Sequence, residues 1–189
     1  MFKTPIMVTA AGPKDIAAIK RLQELNHFKN VSAQERKKRG FVSVETSKEV
    51  LLQIARRTGI VVAKANNELI GYEMPLPLEQ AKTITLLEPF IARFDSVTYK
   101  GRKISDYNLV IAGQICVGKE YSGKGVPEIM HPYLLHMILK GKFDLLVTEV
   151  SGQNTRSLHV SVEKLGFQLA DQYCADGQSW YVLVQEIPK

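Results

Sequence analysis

Only two of the 189 residues are cysteine, Cys116 and Cys174, far apart along the chain and in no metal-binding spacing. A disulfide framework and a cysteine-based zinc site are therefore not expected, and both thiols read as reduced and buried. No apolar run is long enough to cross a bilayer. Residues 1–12 lack the apolar core of a signal peptide, so the expected location is the cytoplasm and no membrane partner is expected. There is no internal repeat, no low-complexity tract and no linker. The four histidines offer no metal pair: His131 and His136 are five apart on a predicted helix and do not share a face, and His159 reads as a helix-surface residue. No metal cofactor is expected.

Charge of one sign is modestly in excess, at +6. That favours anionic partners without naming one. The densest basic run, Arg36-Lys37-Lys38-Arg39, has no interleaved aromatics and no nucleic-acid motif around it. It reads as a solvated helix end, and nucleic acid is not an expected partner.

What is present is a globular composition, 45% hydrophobic and 23% charged, in a chain long enough for one proper core. The order of elements predicts a single domain over 1–189. A short strand at 6–10 precedes a helix over 14–26 with Ile16, Ile19, Leu22 and Leu25 inward. A polar, partly helical segment follows to Gly40, then an extended piece at 41–44. Thr46 and Glu49 have capping-box spacing and predict a helix to about Arg57, ended by Gly59. Strands at 60–65 and 69–74 flank Asn66-Asn67, which tolerates left-handed backbone and predicts a hairpin. Pro75 and Pro77 should stop the second strand. Residues 76–107 are irregular apart from a helix near 86–94, and an irregular stretch of that length is more often functional than idle.

The chain is organised around 109–127. An apolar strand over 109–117 leads to a turn holding Gly123 and Gly125 around Lys124, and a helix follows. Pro127 suits the first helical position, where its missing N–H would be unpaired anyway. Val126, Ile129, Met130, Tyr133, Leu134, Met137 and Ile138 recur at helical spacing. Such a turn directs free N–H groups and a positive dipole end at one point, a site for an anion, most often a phosphate. Downstream, the apolar run 143–150 reads as a strand buried on both faces. A helix spans 154–165 with Gly166 as its C-cap, and a hairpin over 167–184 turns at Asp176-Gly177. Together these elements predict an α/β fold, a mixed central sheet with helices on both faces.

In this order the motifs resemble those of the GNAT superfamily of acetyl-CoA-dependent N-acetyltransferases, over nearly the whole chain. Residues 117–127 read VGKEYSGKGVP, against a family pattern of a strand ending in Val and an Arg/Gln-x-x-Gly-x-Gly/Ala turn opening a helix. Residues 148–154 read TEVSGQN and 163–167 read EKLGF, against a strand, an Asn and a helix closing on Lys-x-Gly-Phe. The resemblance implies acetyl-CoA as co-substrate and an amine of a small molecule or peptide as acceptor, with a homodimer left open. It implies that backbone N–H groups of Gly123, Lys124, Gly125 and Val126 hold the pyrophosphate, with Ser122 at the Arg/Gln position. It further implies that Ile115, Cys116 and Val117 pair with the pantetheine arm and that Asn154 contacts it.

Three departures stand out: Ser122, Pro127 in place of Gly or Ala, and one extra residue between Asn154 and Gly166. That residue makes the family's frequent tyrosine acid fall on Ser161 from one end and on Val162 from the other. The alternative is therefore an acyl-CoA-binding module without turnover. For the chemistry, an amine must lose a proton and a thiolate must gain one. Glu149, which the resemblance places at the end of the strand beside the cofactor, is the candidate base; its alternative role is to order the 151–154 turn. Cys116 has no histidine beside it in sequence and is not expected to be a nucleophile. Glu88, Asp95 and Asp106 are candidates to bind a cationic acceptor amine.

Overall fold

In the computed structural model, which describes residues 4–175 and 177–189 and of Lys37 and Lys38 the backbone alone, there are nine strands and seven α-helices, in the predicted order outside residues 76–107. In chain order they are β1 Ile6–Ala10, α1 Ile16–Asn26, α2 Ala33–Arg39, α3 Lys48–Arg57, β2 Val61–Ala65 and β3 Glu68–Leu76. Then come α4 Leu78–Ala81, α5 Glu88–Ile91, β4 Thr98–Tyr99, β5 Arg102–Lys103, β6 Leu109–Val117 and α6 Val126–Tyr133. The chain closes with β7 Leu145–Ser151, α7 Thr155–His159, β8 Gln168–Ala175 and β9 Gln178–Glu186. Seven strands form one mixed sheet in the order β1-β2-β3-β6-β7-β9-β8, with β6 and β7 parallel. The predicted α/β class is the observed one. The chain divides into two compact units, Met1–Pro75 with Gly113–Ile138, and Leu76–Ala112 with Leu139–Lys189.

In the first unit, β1, β2 and β3 pair antiparallel in sequence. The hairpin turns at Asn66 and Asn67, whose φ of 49° and 65° match the left-handed conformation expected there. β3 does not stop at Pro75. Its pairing to β2 ends at Glu73 opposite Val61, so Pro75 interrupts no bond of that ladder. On α1, Ile16, Ile19 and Leu22 are buried as expected, but Leu25 is 59% exposed and Gln23 and Asn26 are buried in its place. The cap of α3 is Ser47, whose hydroxyl accepts from the Val50 N–H at 3.3 Å, one residue beyond the predicted Thr46. Arg39 is no solvated helix end: its guanidinium donates to Asn26 Oδ1 and lies 3.8 Å from Glu35.

The buried residues of α6 and the π turn that follows it (Leu134–Leu139) are Val126, Met130, His131, Leu134, Leu135, Ile138 and Leu139. Ile129 and Met137 are exposed, so the inward face is rotated from the predicted one. Pro132 interrupts the helix just before the π turn, where its missing N–H leaves one carbonyl without its usual donor.

In the second unit, β9 lies between β7 and β8 and pairs antiparallel with both. The segment predicted as irregular apart from one helix near 86–94 carries two short helices, of which α5 spans only Glu88–Ile91 of that stretch, and the two-stranded β4–β5 sheet. Phe90 and Phe94 meet edge to face, with ring centroids 4.9 Å apart, and both are buried. α7 continues into a π turn over Val160–Lys164, in which the Leu165 N–H donates to the Val160 carbonyl at 3.0 Å. Gly166, at φ 84°, ends it, and the Phe167 N–H returns to the Ser161 carbonyl at 3.0 Å. That bond is one residue wider than the usual six-to-one closure because it follows the π turn, and the left-handed Gly166 is the C-cap the sequence predicts. The thiols divide: Cys116 is buried but Cys174 is exposed on β8, against expectation. Of the terminal hairpin's turn, Asp176 lies outside the described residues, as do residues 1–3 at the chain start.

Candidate active site

The first unit holds the glycine turn. Gly123 and Gly125 adopt φ of 75° and 81°, a region that residues with a Cβ enter at a cost. Gly125 is the N-cap of α6, so Val126 is the first helical residue and Pro127 the second, one place later than predicted. Pro127 still lies among the first-turn positions whose N–H groups have no helical partner. The Lys124 N–H donates to the Tyr121 carbonyl at 3.3 Å, whereas among the described residues the Gly123 and Gly125 N–H groups enter no hydrogen bond. A Cβ on Gly125 would meet only the Glu128 carboxylate, at 3.9 Å, so the space over the turn is open. Lys124 is exposed and its ammonium sits 5.5 Å from the centre of the Tyr121 ring. An open turn with unspent donors and a lysine fits a phosphate; the Glu128 carboxylate beside it and the missing Pro127 N–H weaken that fit without closing it.

The strand before the turn is tightly held. The Gly118 N–H donates to the Ile70 carbonyl at 2.8 Å. A Cβ on Gly71 would come within 3.1 Å of the Cys116 carbonyl and 3.2 Å of Val126, so glycine at 71 permits β3, β6 and α6 to approach. Nothing in the spacing around Gly71 announced that role. Along 115–117 exposure alternates: Ile115 is exposed, Cys116 buried, Val117 half-buried. The Cys116 thiol points inward to the Leu22 carbonyl, 3.8 Å away, and burial pushes it up to about 12. A thiol held in that state is protonated at neutral pH, which disfavours it as a nucleophile. Beside it, Gln114 gathers three partners. Its amide oxygen accepts from Gln23 Nε2 at 2.8 Å and from the Tyr72 hydroxyl at 2.9 Å, and its Nε2 donates to the Val44 carbonyl at 2.6 Å.

The second unit holds Glu149. Burial pushes its carboxyl up from the usual 4.5 to about 7, against a lowering by a hydrogen bond from the Tyr173 hydroxyl. The carboxylate therefore does not order the 151–154 turn; there the Ser151 hydroxyl accepts from the Gln153 N–H at 3.2 Å. Asn154 caps α7, its Oδ1 accepting from the Ser157 N–H at 3.1 Å, which leaves its amide nitrogen as a donor. Around the Glu149–Tyr173 contact lies a polar cluster that sequence reasoning missed. Arg93 donates to Asp171 Oδ2 through Nε and Nη2, at 3.0 and 2.6 Å, and its guanidinium sits 5.7 Å from the centre of the Tyr173 ring. The acidic candidates Glu88, Asp95 and Asp106 are exposed, and among the described residues none of them bonds to this cluster. Val162 and Ser161, the two positions for the missing tyrosine acid, lie inside the π turn.

No family model matches the chain, and no curated protein matches its sequence. Solved structures do match it in fold. The acetyltransferase of the GNAT family from Streptococcus pneumoniae aligns at TM-score 0.63 and 15% identity, over 97% of this chain and 100% of that one. The ribosomal-protein-S18-alanine N-acetyltransferase of Escherichia coli aligns at 0.61 and 12%, over 98% and 96%. A GNAT superfamily phosphinothricin acetyltransferase from Sinorhizobium meliloti, in complex with acetyl-CoA, aligns at 0.63 and 16%, over 97% and 89%. The fold of this chain is that of the GNAT acetyltransferases.

Proposed function

We propose that this chain, with its GNAT fold as premise, is a single-domain acyltransferase that moves the acetyl group of acetyl-CoA to an amine of a small molecule or peptide. The observation that carries this reading is the turn at 123–125, two left-handed glycines around a lysine with backbone donors unspent, at the start of α6. In this reading the N–H groups of Gly123, Gly125 and Val126 hold the phosphates, and Lys124 adds charge. The strand end from Ile115 to Val117 takes the pantetheine amides. Ser122 lends no charge.

Glu149 serves as the base. The amine nitrogen bonds to the acetyl carbon as its proton passes to the Glu149 carboxylate. The carbon–sulfur bond then breaks, and the thiolate leaves to be protonated as free coenzyme A. A base that titrates near neutrality is well matched to that task. No helix among the described residues is long and apolar enough to cross a membrane.

The test is release of free thiol from acetyl-CoA across a panel of amines and peptides, run beside the melting shift that acetyl-CoA causes. Thiol release that needs an amine is the expected result. A melting shift without turnover on any amine would instead identify a binding module. Neither shift nor turnover would overturn the reading.

A further inference from the structure

The register of the second unit brings Glu149 and Tyr173 onto one face of the sheet across an intervening strand. Glu149 on β7 and Asp171 on β8 both stand opposite Val182 of β9, and Ser151 and Tyr173 both stand opposite Trp180. Cross-strand partners share a face, and so do residues two apart on a strand. Two strand spacings, roughly 9.6 Å, separate β7 from β8. The Tyr173 side chain therefore leans diagonally over the fully buried Val182 to reach the Glu149 carboxylate. The Arg93 guanidinium lies over its ring and is itself bonded to Asp171, two residues along the same strand. The charged and titratable groups around Glu149 are thus Tyr173 and Asp171 from β8 and Arg93 from the segment after α5; on this face β9 offers Val182 and Trp180, which carry no charge.

We propose that Tyr173 is a positioning residue, whose hydroxyl fixes the Glu149 carboxylate in one orientation while the Arg93–Asp171 pair holds its ring in place. The proposal rests on the reading of Glu149 as base. Its chemistry is asymmetric in a useful way. Burial, and then the bond to Glu149, push the Tyr173 phenol well up, so it stays a donor at neutral pH. One carboxylate oxygen is then occupied and the other is left to take a proton. Because the donor favours the charged carboxylate, it also keeps the base available at a lower pH than burial alone would allow.

The experiment follows the Glu149 carboxyl directly by 13C NMR titration, assigned with Glu149→Gln, in the unaltered protein and in Tyr173→Phe. Turnover is measured across the same pH range. In Tyr173→Phe the titration midpoint should rise by roughly one pH unit. The acid limb of turnover should move with it, so the loss near pH 7 is about fivefold larger than at high pH, where the loss that remains is that of the fixed orientation. A loss that vanishes at high pH, or a midpoint that does not move, would overturn the positioning role. A midpoint that moves while the turnover limb stays put would instead overturn the base role of Glu149, and with it the inference. Should Tyr173→Phe fail to fold, 3-fluorotyrosine at 173 supplies the converse. It is a stronger donor, and the midpoint should fall; a midpoint that does not fall overturns the proposal.

Discussion

Glu73 Oε1 lies 2.6 Å from His131 Nδ1, with both side chains almost wholly shut from solvent. The other carboxylate oxygen, Glu73 Oε2, is buried without a hydrogen-bond partner. β3 is thereby tied to α6, the helix that the glycine turn opens. Removing one member of a buried pair strands the other and costs about 3–5 kcal/mol, whereas replacing both with apolar groups of similar volume is often neutral or better. His131→Leu should lower the unfolding free energy by about that amount in a urea titration. The double variant Glu73→Leu/His131→Leu should regain most of it. A double variant no more stable than the single one would show that the cost lies in packing, not in a stranded carboxylate.

Glu149 makes stability fall as pH rises. Its carboxyl titrates near 7 in the folded protein and near 4.5 in an unfolded chain. Between those values the folded state keeps a proton that the unfolded state has released, so the folded form is favoured most below 4.5 and loses that advantage as pH rises through about 7. Glu149→Gln cannot titrate and should flatten this part of the stability curve. At pH 8 it should be the more stable protein, by up to about 3 kcal/mol. Equal slopes for both proteins between pH 5 and 8 would contradict this, and chemical denaturation at several pH values measures it.

Gly125→Val should abolish the melting shift caused by acetyl-CoA. At about a hundredfold excess over its dissociation constant, a ligand adds roughly 2.7 kcal/mol. The new side chain meets little of the protein, so the cost to the free fold is mainly that of a left-handed backbone, about 1–2 kcal/mol. The ligand loses much more, because the side chain fills the open space over the turn. A folded variant with an unchanged acetyl-CoA shift would sink the assignment of this turn.

Pro127→Ala should bind acetyl-CoA more tightly while the free protein melts slightly lower. The added N–H restores a donor in the first turn of α6, and a bond to a charged group contributes roughly 1.5–3 kcal/mol. Losing proline frees the unfolded chain, at about 0.4–1 kcal/mol. Calorimetric titration of both proteins decides the matter; equal or weaker binding by the variant would mean that no phosphate uses this position.

The elements were largely legible because they are written locally. The Asn66-Asn67 turn, the glycine turn before α6 and the Gly166 cap each carry their signal within a few residues. The polar cluster around Glu149 was not legible, because Asp171 and Tyr173 reach it only through strand register and Arg93 comes from a distant turn after α5. A shift in the β8–β9 pairing between Leu169 and Asp171 further masks the alternation that would have marked Tyr173 as facing the same side. Gln23 and His131 were missed for a different reason: each is a polar side chain satisfied inside the core, where periodicity counts only apolar residues.

An α-helix completes a turn in 3.6 residues, so one added residue would swing everything beyond it by roughly 100°. The wider ring closed from Leu165 to Val160 takes up one residue within Val160–Lys164, leaving the Asn154 cap and the Gly166 cap in their places. The segment works as an expansion joint. Counting from either cap therefore gives a consistent address until the two counts meet inside it, which is where Ser161 and Val162 compete for one position. A one-residue deletion there is a change of pitch rather than of direction, and the chain on either side would not register it.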